Sequence, residues 1–376
     1  MPPTHCSTPP ELVVPSVSPA FDPAPVFELF RGSFATELLV SAVAHFRLFD
    51  FLCESPRSWN DLRRHLQLAE RPMHVLVTAL RAMGMLCKAP DGGLQLTPLA
   101  RHHLLPNSPY YVGDYFSLAA DSLGVSEMTD RLRTNKPKGS KSGEKGVGFI
   151  FRDGVKSAME EASGARAFTL ALAGRAKNVA PSLAEALPLA EARLLVDVAG
   201  GTGIYSIAFL RKNPALRAIV WDRPEVLRVA AEFAVESGVG DRLELQPGDM
   251  FVDELPRNAD VILLSNVLHD WDFPECLKLL RRCSDAMAVG ARLVIHDVFL
   301  DDALDGPLPI ALYSAALFSV TEGRAYSVAE YSSLLNEAGI RPVQVLPTRV
   351  HCAALVAVKC SDSIRRNNQN NVPPQT

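Results

Sequence analysis

The feature that most constrains this 376-residue chain is an apolar run that ends in a cluster of small residues. The run covers residues 194–198, and Gly200, Gly201 and Gly203 follow it closely. A helical pattern from Ile204 to Lys212 comes next. This order predicts a buried strand, a tight glycine turn and the start of a helix, which together bring a backbone against a nucleotide-type cofactor. Glycines also end strands for steric reasons, so the turn alone leaves both interpretations open.

Two further apolar strands lead to acidic residues. Residues 218–221 are followed by Asp222, about 20 residues after the glycine turn, where nucleotide-binding folds place the carboxylate that accepts hydrogen bonds from a ribose. Residues 243–246 lead to Asp249 and Met250. A carboxylate at that position accepts from the exocyclic amine of an adenine, and a thioether packs on its ring. Asp222, Asp249 and Met250 are therefore candidate cofactor ligands.

A fourth strand pattern covers residues 261–265 and leads to His269. In open parallel sheets, ligands bind outside the carboxyl ends of the strands, so four polar strand ends in a row predict one crevice. His269 brings an ionisable imidazole to that crevice. Its ordinary pKa of about 6.5 lets it accept a proton near neutral pH.

Five motifs occur in a fixed order between Leu194 and Leu335: VDVAGGTG, WDRPEVL, GDMF, VLHDWD and TEGRAYSVAEYSSLL. In this order they resemble the cation-independent, S-adenosylmethionine-dependent O-methyltransferases of the caffeate, hydroxyindole and small-molecule antibiotic type. The N-terminal half resembles the family more weakly. The resemblance implies an α/β fold with a Rossmann-like doubly wound methyltransferase sheet and an N-terminal, mostly helical winged-helix dimerisation domain. It also implies S-adenosyl-L-methionine as cofactor, a hydroxyl of a small aromatic metabolite as methyl acceptor, and a homodimer.

The resemblance implies roles for individual residues. The cofactor-binding set is Asp197, Gly200, Gly201, Gly203, Asp222, Asp249, Met250 and Ser265. His269 is the general base, and a carboxylate is expected to fix its tautomer and stabilise its charged form. Family members supply two glutamates for this task. Here the first position is Asp297, one methylene shorter, and the second is Ala325, which has no carboxylate.

The acceptor pocket is expected to be apolar. Ala315 and Ala316 stand where relatives often have Asn or Asp to hold the substrate. Phe168 and Leu172 are spaced i and i+4 on one helix face, a spacing that is also typical of plain core packing. We assign Phe168, Leu172 and Ala316 to the substrate pocket.

A metal site is the alternative for this crevice. His269, Asp270 and His296 combine imidazole and carboxylate groups that suit a first-row metal. Strand alternation, however, places His296 and Asp297 on opposite faces of the sheet, so only one of them meets His269. We favour Asp297 and predict no metal.

Composition is that of an ordinary globular protein, with 48% hydrophobic and 21% charged residues. A net charge of −4 gives no argument for nucleic acid or an anionic membrane as partner. The seven cysteines show no C-x-x-C spacing, which disfavours a disulfide framework or a zinc ribbon. Residues 1–20 lack the basic start and apolar core of a signal peptide, and no run reaches the roughly 18 apolar residues of a membrane helix. We therefore expect a cytoplasmic protein.

The chain divides into five predicted segments. Residues 1–20 and 361–376 are expected to be disordered tails because they lack apolar periodicity. A winged-helix dimerisation domain covers 21–110, a helical linker and substrate-pocket region covers 111–190 with a flexible loop at 134–148, and the S-adenosylmethionine-binding domain covers 191–360. Helical patterns lie at Glu37–Leu52, Trp59–Leu66, Arg71–Met85, Ser157–Leu172 and Ala176–Leu187. The first three helices and a hairpin at Leu86–Leu96 are typical of a winged helix.

A winged helix also raises the possibility of DNA binding. The helix at Arg71–Met85 that would enter a major groove is mostly apolar, whereas groove-reading helices present Arg, Lys, Asn or Gln. Its composition favours packing. The alternatives to O-methylation are carbon methylation, a relative that keeps the cofactor but does not transfer methyl, and a cofactor-sensing regulator that acts through its winged helix.

Overall fold

The computed structural model describes residues 12–136 and 162–361. The N-terminal part is mostly helical, and the C-terminal part is built on one large sheet. No helix within those two described ranges is both long and apolar enough to cross a membrane.

The N-terminal part begins with short helices and ends with a longer one. The helices are α1 (Ala24–Arg31), α2 (Ser33–Val40), α3 (Leu48–Phe51), α4 (Trp59–Leu66), α5 (Glu70–Ala82), α6 (Pro98–His103), α7 (Gly113–Ser117) and α8 (Leu123–Thr134), with a π-helical turn at Ser41–His45. The strands β1 (Leu86–Lys88) and β2 (Leu94–Leu96) form an antiparallel hairpin after α5. The Ser58 side chain caps α4 by accepting a hydrogen bond from the Asp61 N–H. The predicted helix at Trp59–Leu66 and the predicted hairpin are confirmed.

The C-terminal part alternates strands and helices. The strands are β3 (Leu194–Val198), β4 (Arg217–Asp222), β5 (Leu243–Pro247), β6 (Val261–Ser265), β7 (Arg292–Leu300), β8 (Tyr326–Ser327), β9 (Ile340–Pro347) and β10 (Cys352–Lys359). The helices are α9 (Ala162–Ala186), α10 (Ile204–Lys212), α11 (Pro224–Ser237), α12 (Phe273–Ala286), α13 (Leu308–Val320) and α14 (Val328–Glu337), with a 3-10 turn at Leu268–Asp270.

The sheet confirms the predicted doubly wound α/β architecture. Its strand order is β5-β4-β3-β6-β7-β10-β9, and β3 to β7 run parallel, whereas β10 runs antiparallel to both of its neighbours. The short strand β8 pairs with the end of β7. The strand order reverses between β3 and β6, and a sheet of this kind binds its ligands outside the carboxyl ends of strands at that point.

Alternate residues of each parallel strand enter two separate cores, because successive side chains of a strand point to opposite faces. In β3, Leu195 packs into the core formed with α9, α10 and α11, whereas Val196 and Val198 pack into the core formed with α12 and α14. Both faces of the sheet are therefore covered, which explains why the central strands read as continuous apolar runs.

One helix of the C-terminal part joins the N-terminal core. Ala315 and Phe318 of α13 pack among the buried residues of α2, α5 and α8, and α13 contacts α5 along its length. Part of the predicted segment 191–360 therefore packs into the core of the N-terminal part. The predicted packing role of the helix that begins near Arg71 is confirmed, since α5 is buried on nearly all sides.

Two helix predictions need correction. The helix predicted at Glu37–Leu52 is interrupted, because Arg47 adopts a left-handed backbone with φ of 47° and separates the π-helical turn from α3. The two helices predicted at Ser157–Leu172 and Ala176–Leu187 are one continuous helix, α9, which runs through Gly174. Residues 157–161 lie outside the described ranges.

The predicted tails and loop are also revised. Residues 12–20 are not a free tail, because Val14 is buried in the core of α9, α10 and α11 and its carbonyl accepts a hydrogen bond from Arg211. Thr134 ends α8, and Asn135 is hydrogen-bonded to the Arg71 guanidinium, so the predicted flexible loop at 134–148 does not begin at Thr134. Residues 1–11, residues 137–148 of that loop and the predicted tail after Ser361 lie outside the described ranges.

Candidate active site

The glycine turn after β3 takes a backbone that only its small residues allow. Gly201 and Gly203 have positive φ of 58° and 70°. A Cβ on Gly200 would lie 2.7 Å from Asp197 Cγ, so no larger residue fits above that carboxylate. The Gly201 N–H donates to Asp222 Oδ2 at 2.9 Å, which ties the turn to the end of β4. The turn therefore leaves an open cradle at the carboxyl end of β3.

Asp197 lies fully buried beneath this turn. Its Oδ2 accepts a 2.7 Å hydrogen bond from the Ser206 hydroxyl, whereas Oδ1 is buried and has no hydrogen-bond partner among the described residues. Burial raises the pKa of this carboxyl to about 7. A positive charge placed above the turn would favour the ionised form, which fits the cationic methionine part of S-adenosylmethionine.

The predicted ribose and adenine ligands lie at the next two strand ends. Asp222 Oδ1 accepts from the Arg223 N–H at 2.6 Å, and burial raises the pKa of Asp222. Asp249 Oδ1 accepts from the Phe251 N–H at 2.8 Å, so the carboxylate is held at the turn that follows β5. Met250 is half-buried against the core of α12 and α14. The four sites from Asp197 to Met250 line one edge of the sheet, as the sequence predicts.

His269 and Asp297 form a buried pair at the ends of β6 and β7. His269 Nδ1 donates to Asp297 Oδ1 at 2.6 Å, and the Val298 N–H donates to the same oxygen at 2.8 Å. Because a carboxylate only accepts, this contact places the proton on Nδ1 and leaves the Nε2 lone pair free. Asp297 Oδ2 is buried without a partner among the described residues.

The electrostatics of this pair favour proton acceptance. Burial alone lowers the pKa of His269, but the carboxylates of Asp297 and Asp270 outweigh it and raise the pKa above its ordinary value. Asp270 Oδ1 lies 3.6 Å from His269 Nε2. Burial raises the pKa of Asp270 to about 6. An imidazolium formed at His269 is therefore stabilised on both sides.

The half-buried face of α13 lies opposite His269. After Leu308, which is exposed, this helix is buried except for half-buried residues that recur at helical spacing, namely Pro309, Tyr313, Ala316 and Val320. The Tyr313 ring meets the His269 ring edge to face, with centroids 5.8 Å apart. Ala316, a predicted pocket residue, lies on this face. Ala315 is fully buried in the N-terminal core and does not lie on this face.

A tight loop after α13 fixes the backbone of His269. A Cβ on Gly323 would lie 2.2 Å from the His269 carbonyl oxygen, so only glycine allows this approach. Arg71 of α5 donates to the carbonyls of Thr321 at 2.7 Å and Gly323 at 3.3 Å. The role of Arg71 was not predicted from the sequence. Its carbonyl partners lie about 250 residues later in the chain, and a backbone carbonyl leaves no pattern of residue types. Ala325, in the same loop, is fully buried and its N–H donates to Ser314 Oγ at 3.1 Å.

His296 points away from His269, as strand alternation predicts. It is hydrogen-bonded to Ser265 Oγ at 2.8 Å through Nδ1 and to Thr348 Oγ1 at 3.2 Å through Nε2. Burial lowers its pKa to about 3, so the ring is neutral. Ser265, a predicted cofactor ligand, thus supports His296 and accepts a hydrogen bond from Asn266. Within residues 12–136 and 162–361, no cluster of three His, Cys, Asp or Glu side chains is placed to hold a metal.

The predicted pocket residues of α9 share their face with a residue that sequence reasoning missed. Phe168 is half-buried and Leu172 is 54% exposed, so the described residues leave about half of Leu172 uncovered. Arg175 follows them on the same face and donates to Asn266 Oδ1 and to Cys352 Sγ. Its guanidinium lies 5.5 Å from the centre of the Tyr313 ring. Through Arg175, this face of α9 therefore lies next to Tyr313, the residue that contacts His269.

Comparison with known proteins identifies the family. The O-methyltransferase domain pattern matches residues 127–341, more than half of the chain. A solved structure of an O-methyltransferase family 2 protein from Planctomyces limnophilus, in complex with apigenin, is 48% identical and covers 91% of this chain and 97% of its own, with a TM-score of 0.82. The 3-hydroxy-5-methyl-1-naphthoate 3-O-methyltransferase of Streptomyces sahachiroi is 32% identical over 86% of this chain and 91% of its own. The L-tyrosine C(3)-methyltransferase of Streptomyces lavendulae is 29% identical over 81% of this chain and 83% of its own.

The chain belongs to the O-methyltransferase family whose pattern it matches. It is an S-adenosylmethionine-dependent O-methyltransferase with the fold of that family, and S-adenosyl-L-methionine is its methyl donor. The family resemblance drawn from the five motifs is confirmed.

Proposed function

We propose that this enzyme methylates a hydroxyl of a small aromatic metabolite and that His269 removes the hydroxyl proton. The observation that carries the proposal is the 2.6 Å hydrogen bond from His269 Nδ1 to Asp297, which leaves Nε2 free to accept a proton. The aromatic acceptor is supported by the apigenin complex and by the naphthoate enzyme described above. The half-buried side chains of Tyr313 and Ala316 lie on the face of α13 that meets His269 and would contact such an acceptor.

The proton and the methyl group move in one displacement. When bound, S-adenosylmethionine supplies a methyl group on a sulfonium that already is a good leaving group. His269 Nε2 takes the proton of the acceptor hydroxyl, while an oxygen electron pair forms the new bond to the methyl carbon. The bound donor would give up the methyl group as its carbon–sulfur bond breaks, and the electron pair of that bond would stay on sulfur. Asp297 stabilises the resulting imidazolium and holds the ring in the correct tautomer.

The proposed cofactor ligands lie at the carboxyl ends of β3, β4, β5 and β6. We assign the methionine part to Gly200, Gly201, Gly203 and the buried carboxylate of Asp197, because the turn leaves room there and Oδ1 of Asp197 lacks a partner. We assign the ribose to Asp222. Asp249 and Met250 are assigned to the adenine, and Ser265 supports the floor of the site through His296.

We also propose that the N-terminal part is a winged-helix dimerisation domain. Its exposed apolar side chains include Leu29 at 83% and Phe30 at 81% on α1, together with Leu118 and Leu123 next to α7 and α8. Both α1 and α8 pack on α2, so these side chains belong to one helical layer. Exposed apolar side chains in this number are typical of a protein interface. A second copy of this chain is the partner that would cover them.

Carbon methylation is the second candidate, and the similarity to the L-tyrosine C(3)-methyltransferase favours it. The regulator hypothesis has less support, because α5 is buried and cannot enter a DNA groove. The deciding experiment incubates cell extract with methyl-labelled cofactor and the full-length enzyme, and identifies the labelled metabolite by mass spectrometry. We expect an aromatic methyl ether that is absent with the His269→Ala variant. A label on carbon would replace our proposal with the second candidate, and a label that persists with His269→Ala would contradict the role of His269.

A further inference from the structure

Two arginines lie beside the same aromatic ring in the active site. The Arg31 guanidinium of α1 stacks on the Tyr313 ring at 3.8 Å from its centre, and that of Arg175 lies 5.5 Å from it. The Tyr313 ring is also the one that meets His269. The two positive charges therefore flank the wall on which the methyl acceptor is proposed to lie.

Neither arginine has a carboxylate partner within salt-bridge distance among the described residues. Arg31 is 6% exposed and its recorded contacts are the rings of Tyr313 and Phe27. Arg175 donates to an amide oxygen of Asn266 and to the Cys352 sulfur, and its Nε is buried without a partner. Asp297, the acid that acts on Arg175 over a longer distance, is held by His269.

The charge of buried Arg31 is only partly compensated by the groups around it. Burial lowers the pKa of Arg31, and the charge of Arg175 lowers it further. Burial also acts to lower the pKa of Arg175, but Cys352, Tyr313, Tyr205 and Asp297 outweigh it and raise that pKa, so the poorly compensated charge is that of Arg31. Stacking on an aromatic ring compensates a buried guanidinium only in part, and it does not remove the repulsion between two like charges. Two other buried arginines have acidic partners, Arg324 with Glu330 at 2.5 Å and Arg81 with Asp305 at 3.1 Å, and buried Arg71 donates to several carbonyl oxygens instead. An anion between Arg31 and Arg175 would complete the set of contacts.

We propose that Arg31 and Arg175 bind a carboxylate carried by the methyl acceptor, so that the substrate is a hydroxylated aromatic acid. This inference rests on the proposed function, because it places the acceptor hydroxyl at His269. The guanidinium groups present planar pairs of N–H donors that match a carboxylate. Tyr313, which contacts both His269 and Arg31, then lies along the aromatic ring that joins the hydroxyl to the acid.

The test compares two ligands that differ only in charge and that carry no hydroxyl. Full-length enzyme saturated with S-adenosylhomocysteine is titrated calorimetrically with 1-naphthoate and with its uncharged amide, 1-naphthamide. We expect naphthoate to bind about 10- to 100-fold more tightly, in line with hydrogen bonds between charged groups. Arg31→Met should abolish this preference, and Arg31→Lys should retain part of it because the charge remains. Arg166→Met is the matched control, since Arg166 lies on α9 with Arg175 but is paired with Glu232.

The outcomes separate this inference from the proposed function. Equal binding of the two ligands by the wild-type enzyme, or no binding of either, overturns the carboxylate site. An unchanged preference in a folded Arg31→Met variant overturns it as well, with thermal unfolding and S-adenosylhomocysteine affinity as the checks of folding. If Arg31→Met does not fold, Arg31→Gln, which also removes the charge, decides by the same criterion. Methyl transfer to 3-hydroxy-1-naphthoate and to 2-naphthol is measured separately, and a failure of transfer to any hydroxylated arene contradicts the proposed function without altering the binding result.

Discussion

Replacing Asp297 with asparagine is expected to slow methyl transfer and leave cofactor binding unchanged. The carboxylate is 2.6 Å from His269 Nδ1 and stabilises the imidazolium that forms as the proton is transferred. A hydrogen bond to a charged group contributes about 1.5–3 kcal/mol. Since about 1.36 kcal/mol corresponds to a factor of ten in rate, kcat should fall by about 10- to 150-fold. His269→Ala should cost about 10²–10⁴-fold, the full contribution of a general base.

The same substitution should move the acidic limb of the kcat profile. Only neutral His269 accepts a proton, and in the wild-type enzyme Asp297 and Asp270 raise the pKa of His269 despite its burial. Removing the Asp297 charge removes part of this increase, so the neutral form persists to lower pH. The acidic limb of Asp297→Asn should therefore lie at a lower pH than that of the wild type, although the plateau rate is reduced.

Steady-state rates are measured against pH with the acceptor found by the labelling screen. Asp285→Asn is the matched control, because Asp285 is exposed on α12 and the chemical change is the same. A normal plateau and an unmoved acidic limb in Asp297→Asn would refute the reasoning and leave His269 as a structural histidine.

Three further outcomes follow from the site and the surface. Asp222→Ala should weaken S-adenosylmethionine binding by about 2–3 kcal/mol in a calorimetric titration, and unchanged affinity would remove Asp222 from the ribose site. Because the pKa of Asp197 is raised to about 7, wild-type affinity for the cationic donor should increase between roughly pH 6 and pH 8, and Asp197→Asn should flatten that dependence; a flat wild-type profile contradicts the assignment. The double variant Leu29→Asp, Phe30→Asp should sediment as a monomer and the wild type as a dimer, with Val235→Asp on exposed α11 as control. A monomeric wild type would contradict the proposed assembly.

The parallel strands and their polar ends were predictable because their signals are local. The predicted limits of β6 and α10 match the structure, since each is a short apolar or periodic run bounded by turn residues. The pairing of His269 with Asp297 was also predictable, because strand alternation decides between Asp297 and His296. The exact roles of the cofactor ligands stay predictions.

Other features depend on contacts between distant parts of the chain. The helix is broken at Arg47 because that one residue has a left-handed backbone, and hydrophobic periodicity does not predict such a residue. Burial of Val14 depends on the surface of α9 and α10, and the packing of α13 into the N-terminal core depends on α5. Arg31 and Arg175 lie on separate helices 144 positions apart and meet only through Tyr313. The proximity of these two arginines is found only in the folded structure, where both lie beside the Tyr313 ring.

Ala325→Glu tests whether Asp297 is the sole carboxylate that orients His269. Ala325 is 0% exposed and its N–H is hydrogen-bonded to Ser314 Oγ, so a glutamate there adds a methylene and a charged carboxylate to a filled core. Overpacking costs about 1–3 kcal/mol, and an unpaired buried charge adds to that. We expect a lower Tm and no gain in kcat.

Ala325→Gln separates the two costs, because it has the size of glutamate without the charge. An equal loss of stability in both variants assigns the effect to volume, and a smaller loss with glutamine assigns the difference to charge. A glutamate variant that is as stable as the wild type, with a higher kcat and an acidic limb moved to higher pH, would show that a second carboxylate reaches His269. In that case the packing around Ala325 is looser than its burial implies, and Asp297 alone does not set the limit on proton removal.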